Sequence, residues 1–397
     1  MKLLLTLVPL AAALAADAPF VPMFDGKTLN GWEVCNGSAT YTIEKGVITG
    51  TTAKGSPNSF LCTKKEYGDF VMEFDVITDP ALNSGVQIRS HRYPEEMTVT
   101  IFNGKQTIQR KQPKNRVHGY QVEIANEAGG QNGSIYDEAR RGWIAMMKPD
   151  APGIKAYHDN QWNHYRVEAK GDSIKTWVNG VQCADLRDPL DQTGFIALQV
   201  HQFSGAQPAQ VRFRNVRIQD LGRSTWKPVW DGKTLKGWNA RGGAEFKVED
   251  GAIHAKSKPD DPAIGFLVSD QAFGDLTIRL KFKMLKGNSG LFLRSDPKTL
   301  AGYEEEIDDG KRTGGFWEPG GRKWVTGPED NAAVKAGEWN DLYASLHGHR
   351  IVFHVNGVKT VDLPDDAQGR TEGRIALQCH GSKRETEIWF KDIEILK

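Results

Sequence analysis

The chain has 397 residues, with 51 Lys and Arg against 50 Asp and Glu, and it contains 42 Gly and 11 Trp. A chain of this length normally forms two or three domains, each able to bury its own core. The formal net charge of +1 argues against a protein that binds nucleic acid through its phosphates. No internal run of about 18 apolar residues occurs, so we expect no transmembrane segment in the mature chain.

The N-terminal segment has the pattern of a secretory signal peptide. Met1 and Lys2 give a positively charged start, the run from Leu3 to Leu14 is apolar, and Ala13-Leu14-Ala15 offers small residues for cleavage. A buried strand or helix at the start of the fold is the alternative, but charge, length and cleavage site together favour the signal peptide. We therefore expect a signal peptide over residues 1–16 and an exported protein, periplasmic or extracellular.

Four cysteines remain in the exported chain, at positions 35, 62, 183 and 379. None of their spacings is that of a thiolate zinc site. Cys35 and Cys62 belong to the same half of the chain and could form a disulfide, but sequence does not fix cysteine connectivity. Cys379 shares the parity of Ile375 and Leu377, which predicts a small residue in the core.

The rest of the chain consists of two copies of one unit. Six blocks recur in the same order, which excludes chance, and the long repeat predicts two domains rather than a solenoid. We expect the first domain over residues 20–221 and the second over 228–397, joined by a short linker. The paired blocks begin at Phe24 and Trp230, Asn83 and Asn288, Gly119 and Gly302, Trp162 and Trp339, Val178 and Val355, and Ile196 and Ile375.

The first copy carries an insertion near residues 93–118. Between the second and third blocks the offset falls from 205 to 183, so 22 residues are extra. Alternating residues on either side of Asn103-Gly104 predict a β-hairpin. The hairpin ends in the basic run from Arg110 to Arg116, for which a solvated loop is the more ordinary interpretation than a binding patch.

The regular segments show the period of β-strands. Apolar residues alternate with polar ones at Phe70, Met72 and Phe74, and the matching segment of the second copy follows the same rule. Asn179-Gly180 and Asn356-Gly357 are typical of hairpin turns. No long segment has the apolar period of a helix. The sequence therefore predicts an all-β protein made of two antiparallel sandwiches in tandem.

The repeated strands also place polar residues together on the parity opposite to the apolar ones. Each copy presents an arginine, one or two carboxylates, a glutamine and a histidine on this face. Ordinary solvent-facing positions are the alternative, but these residue types are kept in both copies while others change. The candidates are Gln87, Arg89, Gln121, Glu123, Gln199 and His201 in the first copy and Arg294, Glu304, Glu306, Gln378 and His380 in the second, with Tyr136 and Trp317 as further candidates for substrate binding.

Several familiar catalytic patterns are missing. The Glu-x-Asp-x-Glu strand of sandwich-fold endoglucanases does not occur, so the ordinary two-carboxylate glycosidase arrangement is not evident. There is also no His-x-x-x-His metal motif, no Gly-x-Ser-x-Gly elbow and no phosphate-binding loop.

Taken together, the repeated motifs resemble those of the 3-keto-disaccharide hydrolase family. They are Phe-Asp-Gly-Lys-Thr-Leu-x-Gly-Trp at 24–32, Ser-Gly-x-x-x-Arg, Gly-Tyr-Glu-x-x-Ile, Trp-Asn, Val-Asn-Gly-Val, Leu-Gln-x-His and Phe-Arg-Asn-Val at 213–216. The resemblance runs through both copies and implies a concanavalin A-like jelly roll in each. It also implies cleavage of glycosides whose sugar is oxidised at C3, where the ketone acidifies the C2 proton and allows the C1 substituent to leave, with water then adding.

The resemblance suggests roles that such a reaction requires. Arg89 and Arg294 would stabilise the enolate, and Glu123, Glu304 or Glu306 would be the base. His201 and His380 would act as acid or bind a divalent metal, the only cofactor considered. Copy two is closer to the family pattern, because Gly381 follows its histidine whereas Gln202 stands there in copy one. A lectin-like carbohydrate-binding protein without turnover is the alternative function, since sandwiches of this kind serve both purposes.

Overall fold

The computed structural model describes residues 18–80, 82–102, 107–125, 130–205, 208–257, 263–308, 311–328, 334–381 and 385–397. The expected signal peptide and the Asn103-Gly104 turn lie outside these residues. The chain divides between Ser224 and Thr225 into two compact units. Within the described ranges, no helix is long and apolar enough to cross a membrane.

In its described residues, the first unit has seventeen strands and one short 3-10 helix, Pro152–Lys155. Its strands are β1 (Val21–Pro22), β2 (Trp32–Cys35), β3 (Thr40–Glu44), β4 (Val47–Thr51), β5 (Ser59–Tyr67), β6 (Asp69–Thr78), β7 (Ser84–Arg92), β8 (Met97–Phe102), β9 (Thr107–Gln112), β10 (Val117–Ile124), β11 (Ile135–Glu138), β12 (Gly142–Ala145), β13 (Asn163–Lys170), β14 (Ser173–Val178), β15 (Val181–Arg187), β16 (Gly194–Val200) and β17 (Gln210–Gly222).

These strands form two sheets that pack face to face. One sheet has the order β15-β14-β13-β6-β17-β4-β3, with β1 added beside β17. The other has the order β2-β5-β16-β7-β10-β11-β12-β8-β9. Neighbouring strands are antiparallel apart from one parallel bridge between Gly142 and Phe102.

The second unit repeats this plan, with fifteen strands in the part of it that the structure describes. One sheet runs β20-β21-β32-β23-β28-β29-β30, with β18 beside β32, and the other runs β19-β22-β31-β24-β25-β26-β27. The strands are β18 (Trp226–Pro228), β19 (Trp238–Arg241), β20 (Ala244–Glu249), β21 (Ala252–Ser257), β22 (Gly265–Phe273), β23 (Leu276–Lys286), β24 (Asn288–Ser295), β25 (Tyr303–Asp308), β26 (Phe316–Glu318), β27 (Lys323–Thr326), β28 (Asn340–His347), β29 (Arg350–Val355), β30 (Val358–Leu363), β31 (Gly373–Cys379) and β32 (Glu387–Leu396).

Each core lies between the two sheets of its unit, and strand alternation fills it. Phe70, Met72 and Phe74 of β6 are fully buried there, as are Ile278 and Leu280 of β23 within 1%. Apolar side chains of one parity from both sheets thus bury against each other, which is the main stabilisation of a sandwich. The predicted fold, two tandem all-β concanavalin A-like sandwiches, is confirmed.

The insertion of copy one forms the β8–β9 hairpin at one end of the second sheet. Its pairing runs from Met97 opposite Gln112 to Phe102 opposite Thr107. In the second unit the corresponding sheet ends at β27 within the described residues. The hairpin therefore adds an edge to the first sandwich that the second one lacks.

All four cysteines are free thiols. The disulfide considered for Cys35 and Cys62 is thus not formed, although the two thiols lie on the paired strands β2 and β5 in one small apolar cluster. Burial raises the pKa of the Cys62 thiol. Cys379 is fully buried in the core of the second unit, in accord with its parity.

Candidate functional site

The polar face predicted from the repeated strands is the floor of a cavity, not an open surface. Gln87 and Gln199 are fully buried, and Gln121 and Glu123 are 3% and 6% exposed. Side chains from other strands and from loops cover this face. Alternation therefore identified the correct face but not its shielding from water.

The two arginines depart from this face, which corrects their predicted role. Arg89 is completely buried and donates to the carbonyl oxygens of Gly68 at 2.8 Å and Gly171 at 2.6 Å, and it pairs with Asp69. Neither Arg89 nor Arg294 lines a cavity of the candidate site.

Arg294 makes the same kind of contacts in the second unit. It is 2% exposed and donates to the carbonyl oxygens of Gly348 at 2.8 Å and Arg370 at 2.7 Å. Both arginines have a left-handed backbone, with φ of 44° and 48°, which turns the side chain out of the strand's alternation. These hydrogen bonds hold β7 and β24 to turns and loops that connect other strands of the same unit.

The cavity of the first unit has a volume of about 530 Å³. It brings together four predicted residues: Gln121, Glu123, Tyr136 and His201. Gln87 and Gln199 do not reach its lining and lie behind Gln121 instead. The wall is completed by Pro57, Asn58, Asn83, Ile101, Arg110, Gln112, Arg116, Glu138, Ala139, Trp143 and Gln202.

A chain of side-chain amides holds the Glu123 carboxyl. Gln87 and Gln199 both donate to Gln121 Oε1, at 2.6 and 2.9 Å. Gln121 then donates to Glu123 Oε2 at 2.9 Å, and Asn83 donates to Glu123 Oε1 at 2.5 Å. Burial outweighs these hydrogen bonds and raises the pKa of Glu123 to about 7.

The second unit has a cavity of about 780 Å³ at the equivalent place. Five predicted residues line it: Glu304, Glu306, Trp317, Gln378 and His380. The other lining residues are Ile264, Phe266, Asn288, Phe292, Thr299, Leu300, Arg312, Pro319, Trp324 and Thr386.

Glu306 of this cavity repeats the surroundings of Glu123. Asn288 Nδ2 donates to its Oε1 atom, and Arg312 is the nearby cation. Burial is the largest effect and raises the pKa of Glu306 to about 7, against the lowering by Asn288 and Arg312. A carboxyl with this pKa is suited to accept a proton near neutral pH.

Glu304 stands where copy one has Gln121, so the second cavity holds two carboxyls. Burial and the neighbouring Glu306 keep the pKa of Glu304 well above its ordinary value. Glu304 is therefore the group that keeps its proton when Glu306 has lost one. An acid and a base side by side are what general acid–base catalysis requires.

The Ser-Gly pair repeated in both copies makes room for this site. A Cβ atom on Gly290 would lie 2.2 Å from Glu304 Oε1, and one on Gly85 would lie 2.5 Å from Gln121 Cδ. The preceding serine ties the strands, since Ser289 Oγ donates to the Gln378 carbonyl at 2.6 Å. The close approach of these side chains to the backbone is thus the reason for glycine here.

The histidines lie at the cavity walls. His380 has its pKa lowered by burial, and His201 Nδ1 is 2.8 Å from the Gln202 carbonyl oxygen. In the part of the chain that the structure describes, no group of three or more His, Cys, Asp or Glu side chains is arranged to hold a metal ion.

An aromatic pair borders each cavity. Tyr136 and Trp143 meet edge to face at 5.1 Å, and Trp317 and Trp324 do so at 5.3 Å. Aromatic rings of this kind offer apolar faces to the C–H surfaces of sugars. Trp143 and Trp324 were not predicted from the sequence as site residues. Asn83 and Asn288 were not predicted either, although each begins one of the repeated blocks.

Comparisons with known proteins identify a family for both units. The chain matches the 3-keto-alpha-glucoside-1,2-lyase-like domain over residues 19–219 and again over residues 225–396. No curated protein matches it.

Solved structures with similar folds each match about half of the chain. A candidate glycosyl hydrolase from Parabacteroides distasonis ATCC 8503 is 19% identical, with a TM-score of 0.36, and the match covers 51% of this chain and 94% of that one. The carbohydrate-binding module CBM66 from Bacillus subtilis is 19% identical, with a TM-score of 0.30 and coverages of 48% and 96%. The catalytic domain of an endo-1,3-beta-glucanase from Thermotoga petrophila RKU-1 is 13% identical, with a TM-score of 0.32 and coverages of 44% and 98%.

These structural similarities say nothing about activity, whereas the family match covers both units almost completely. The repeated motifs, the two sandwiches and the paired cavities agree with it. The chain belongs to the family of 3-keto-alpha-glucoside-1,2-lyase-like domains, and it carries two of them.

Proposed function

We propose that the protein cleaves 3-keto-glycosides by removing the C2 proton and expelling the C1 substituent. The observation that carries this proposal is the Glu304–Glu306 pair at the floor of the second cavity. One carboxyl with a pKa of about 7 stands beside another that stays protonated at higher pH.

The reaction assigns one task to each group. The Glu306 carboxylate takes the proton from C2, which the C3 ketone has made acidic, and the electron pair forms an enolate. The C1–O bond then breaks as the C1–C2 double bond forms, and Glu304 gives its proton to the departing oxygen. Water adds across the double bond afterwards to give net hydrolysis, or the unsaturated ketone leaves as the product.

The enolate oxygen needs a positive or hydrogen-bonding neighbour. Arg312 lines the second cavity, so it takes the part that the sequence suggested for Arg294. Arg312 is held at 2.8 Å by Asp308, which fixes its guanidinium beside the two carboxyls. Trp317 and Trp324 provide the apolar wall against which the sugar ring would lie.

The first unit has one carboxyl fewer. Gln121 cannot donate a proton, so Glu123 would act as base without the carboxylic acid that serves copy two. We therefore assign turnover chiefly to the second unit.

The proposal includes export from the cytoplasm, which the N-terminal pattern alone supports. Identifying the N-terminal residue of the protein isolated from its host tests whether the signal peptide is removed.

The test is release of free sugar from 3-keto-trehalose and 3-ketolactose by the purified protein, with and without chelator. Trehalose and lactose serve as unoxidised controls. Glu306→Gln should lower turnover by about 10²–10⁴-fold, whereas Glu245→Gln, an exposed glutamate of the same unit, should leave it unchanged. In D₂O the hydrated product should gain deuterium at C2 faster than the free 3-keto-sugar exchanges it.

Release from the unoxidised sugars at a similar rate would refute the elimination mechanism. Sugar binding without any release would favour the lectin-like alternative. Loss of activity with chelator would indicate that a metal ion takes part, with His201 and His380 as its candidate ligands.

A further inference from the structure

The first cavity has a wall that the second lacks, made by the β8–β9 hairpin. Ile101, Arg110 and Gln112 of this hairpin all line the cavity. Register explains why these three share a face, since Val99 pairs with Arg110 and Ile101 with Ile108. The neighbouring Lys111 points the other way, where its ammonium lies 3.0 Å from Glu96.

Arg110 brings a positive charge to this wall. It is exposed, and among the described residues it has neither an ion pair nor a hydrogen-bond partner for its side chain. Burial raises the pKa of the Tyr136 hydroxyl to about 12, and the positive charge of Arg110 opposes this increase. Arg110 is therefore close to the aromatic pair that borders the cavity.

A second arginine stands at the same wall. Arg116 pairs with Glu138 through Nη2, but its Nη1 atom is buried without a hydrogen-bond partner. The guanidinium also lies 5.5 Å from the centre of the Phe60 ring, so Arg116 adds positive charge to this wall but no open donor. Arg312, which lines the second cavity, is paired with Asp308 at 2.8 Å, whereas Arg110 of the first cavity has no such partner among the described residues.

Two carboxyls also line the first cavity, and both are engaged by residues other than Arg110. Glu138 accepts from Arg116 and, at 3.2 Å, from Asn58. Glu123 is protonated below its pKa of about 7. Arg110 therefore carries a charge that neither carboxyl of the cavity pairs with.

We propose that the first cavity binds glycosides that carry a carboxylate, such as a uronic acid, and that Arg110 determines this preference. The proposal rests on the proposed function only in taking a glycoside as the ligand. A guanidinium recognises a carboxylate through two parallel hydrogen bonds, which a neutral hydroxymethyl group cannot accept in the same way. The basic run from Arg110 to Arg116, which begins within β9, then contributes part of a binding wall and is not simply a solvated loop.

The experiment compares binding of cellobiouronic acid and cellobiose to the full chain by calorimetry at pH 6. These sugars differ by one carboxylate, and neither has the ketone that the elimination needs. Arg110→Gln should weaken binding of the acid about tenfold or more and leave binding of cellobiose unchanged. Lys111→Gln removes the same charge from the opposite face of the same strand, so it should alter neither affinity.

Three further arms complete the test. Added NaCl should weaken binding of the acid but not of cellobiose, because the interaction is partly between charges. Glucuronate alone and a sulfated disaccharide show whether a carboxylate on a glycoside is required or any anion suffices. A sulfated disaccharide that binds as tightly as the acid would overturn the preference for carboxylate.

The proposal fails if the acid and cellobiose bind equally or not at all, or if Lys111→Gln acts as strongly as Arg110→Gln. These outcomes are independent of turnover. A protein that releases no sugar from 3-keto-glycosides but prefers the acid through Arg110 would refute the proposed function and keep this inference.

Discussion

Glu305 gives the sharpest quantitative prediction, because it is a carboxyl in the core of the second sandwich. It is completely buried, and both its oxygens lack hydrogen-bond partners. Its cross-strand neighbours are Leu291 and Phe316, both fully buried, and copy one has Val122 at the same position. We expect Glu305→Val to stabilise the second unit, and to do so more strongly as the pH rises.

The pH effect follows from proton linkage. Burial holds the pKa of Glu305 well above its ordinary value of 4.5. Above pH 4.5 the unfolded chain has lost this proton while the folded chain keeps it, so the folded state binds one proton more. The free energy of unfolding therefore falls by about 1.4 kcal/mol for each pH unit until the folded-state pKa is passed.

Glu305→Val removes this contribution and also removes two unsatisfied oxygens. The second effect is independent of pH and amounts to about 1–3 kcal/mol for a buried polar group without a partner. Glu305→Gln separates the two, since it abolishes the titration and keeps a buried polar group. Relative to the unchanged protein, both variants should have a flatter pH dependence, but only the valine should gain at pH 4.5.

Calorimetric unfolding of the full chain at pH 5.5, 6.5 and 7.5 measures this directly. A difference of about 1.4 kcal/mol corresponds to about 3–6 °C in Tm for a domain of this size, so the gain should grow by that amount per pH unit. The transition of the first unit should stay where it is. An equal pH dependence with and without Glu305 would show that the carboxyl ionises in the folded protein and would refute the reasoning.

Three other predictions concern the site itself. Because the base must be ionised and the pKa of Glu306 is about 7, kcat/KM should rise with pH through neutrality; a flat profile between about pH 5.5 and 8 would exclude this carboxyl as the base. Gly290→Ala should displace the Glu304 carboxyl and lower turnover at least tenfold with little change in Tm, whereas Gly327→Ala, where a Cβ meets nothing within 4 Å, should do neither. Arg294→Met should lower the stability of the second unit by about 2–4 kcal/mol in denaturant unfolding, since it strands buried carbonyl groups, and a loss of activity without loss of stability would return Arg294 to the chemistry.

The sequence predicted the parts of this protein that depend on local periodicity. Alternation in segments such as that from Phe70 to Phe74 requires strands with one buried face, and the repeated blocks require that the same fold occurs twice. The same alternation placed Glu123, Glu306 and the histidines together, because residues of one parity on neighbouring strands must share a face.

Tertiary structure alone decided what that face is and which side chains reach it. Whether this face is open or enclosed depends on strands and loops that are distant in sequence. The burial that raises the pKa of Glu306 therefore could not be predicted from the sequence. The side chains of Arg89 and Arg294 do not lie on this face, because the left-handed backbone of each arginine interrupts the alternation that the prediction assumed. Arg110 lines the first cavity only because its hairpin lies beside β12 in the sheet. Period-two patterns follow from the backbone of each strand, whereas burial and charge at a site follow from distant segments that the fold brings together.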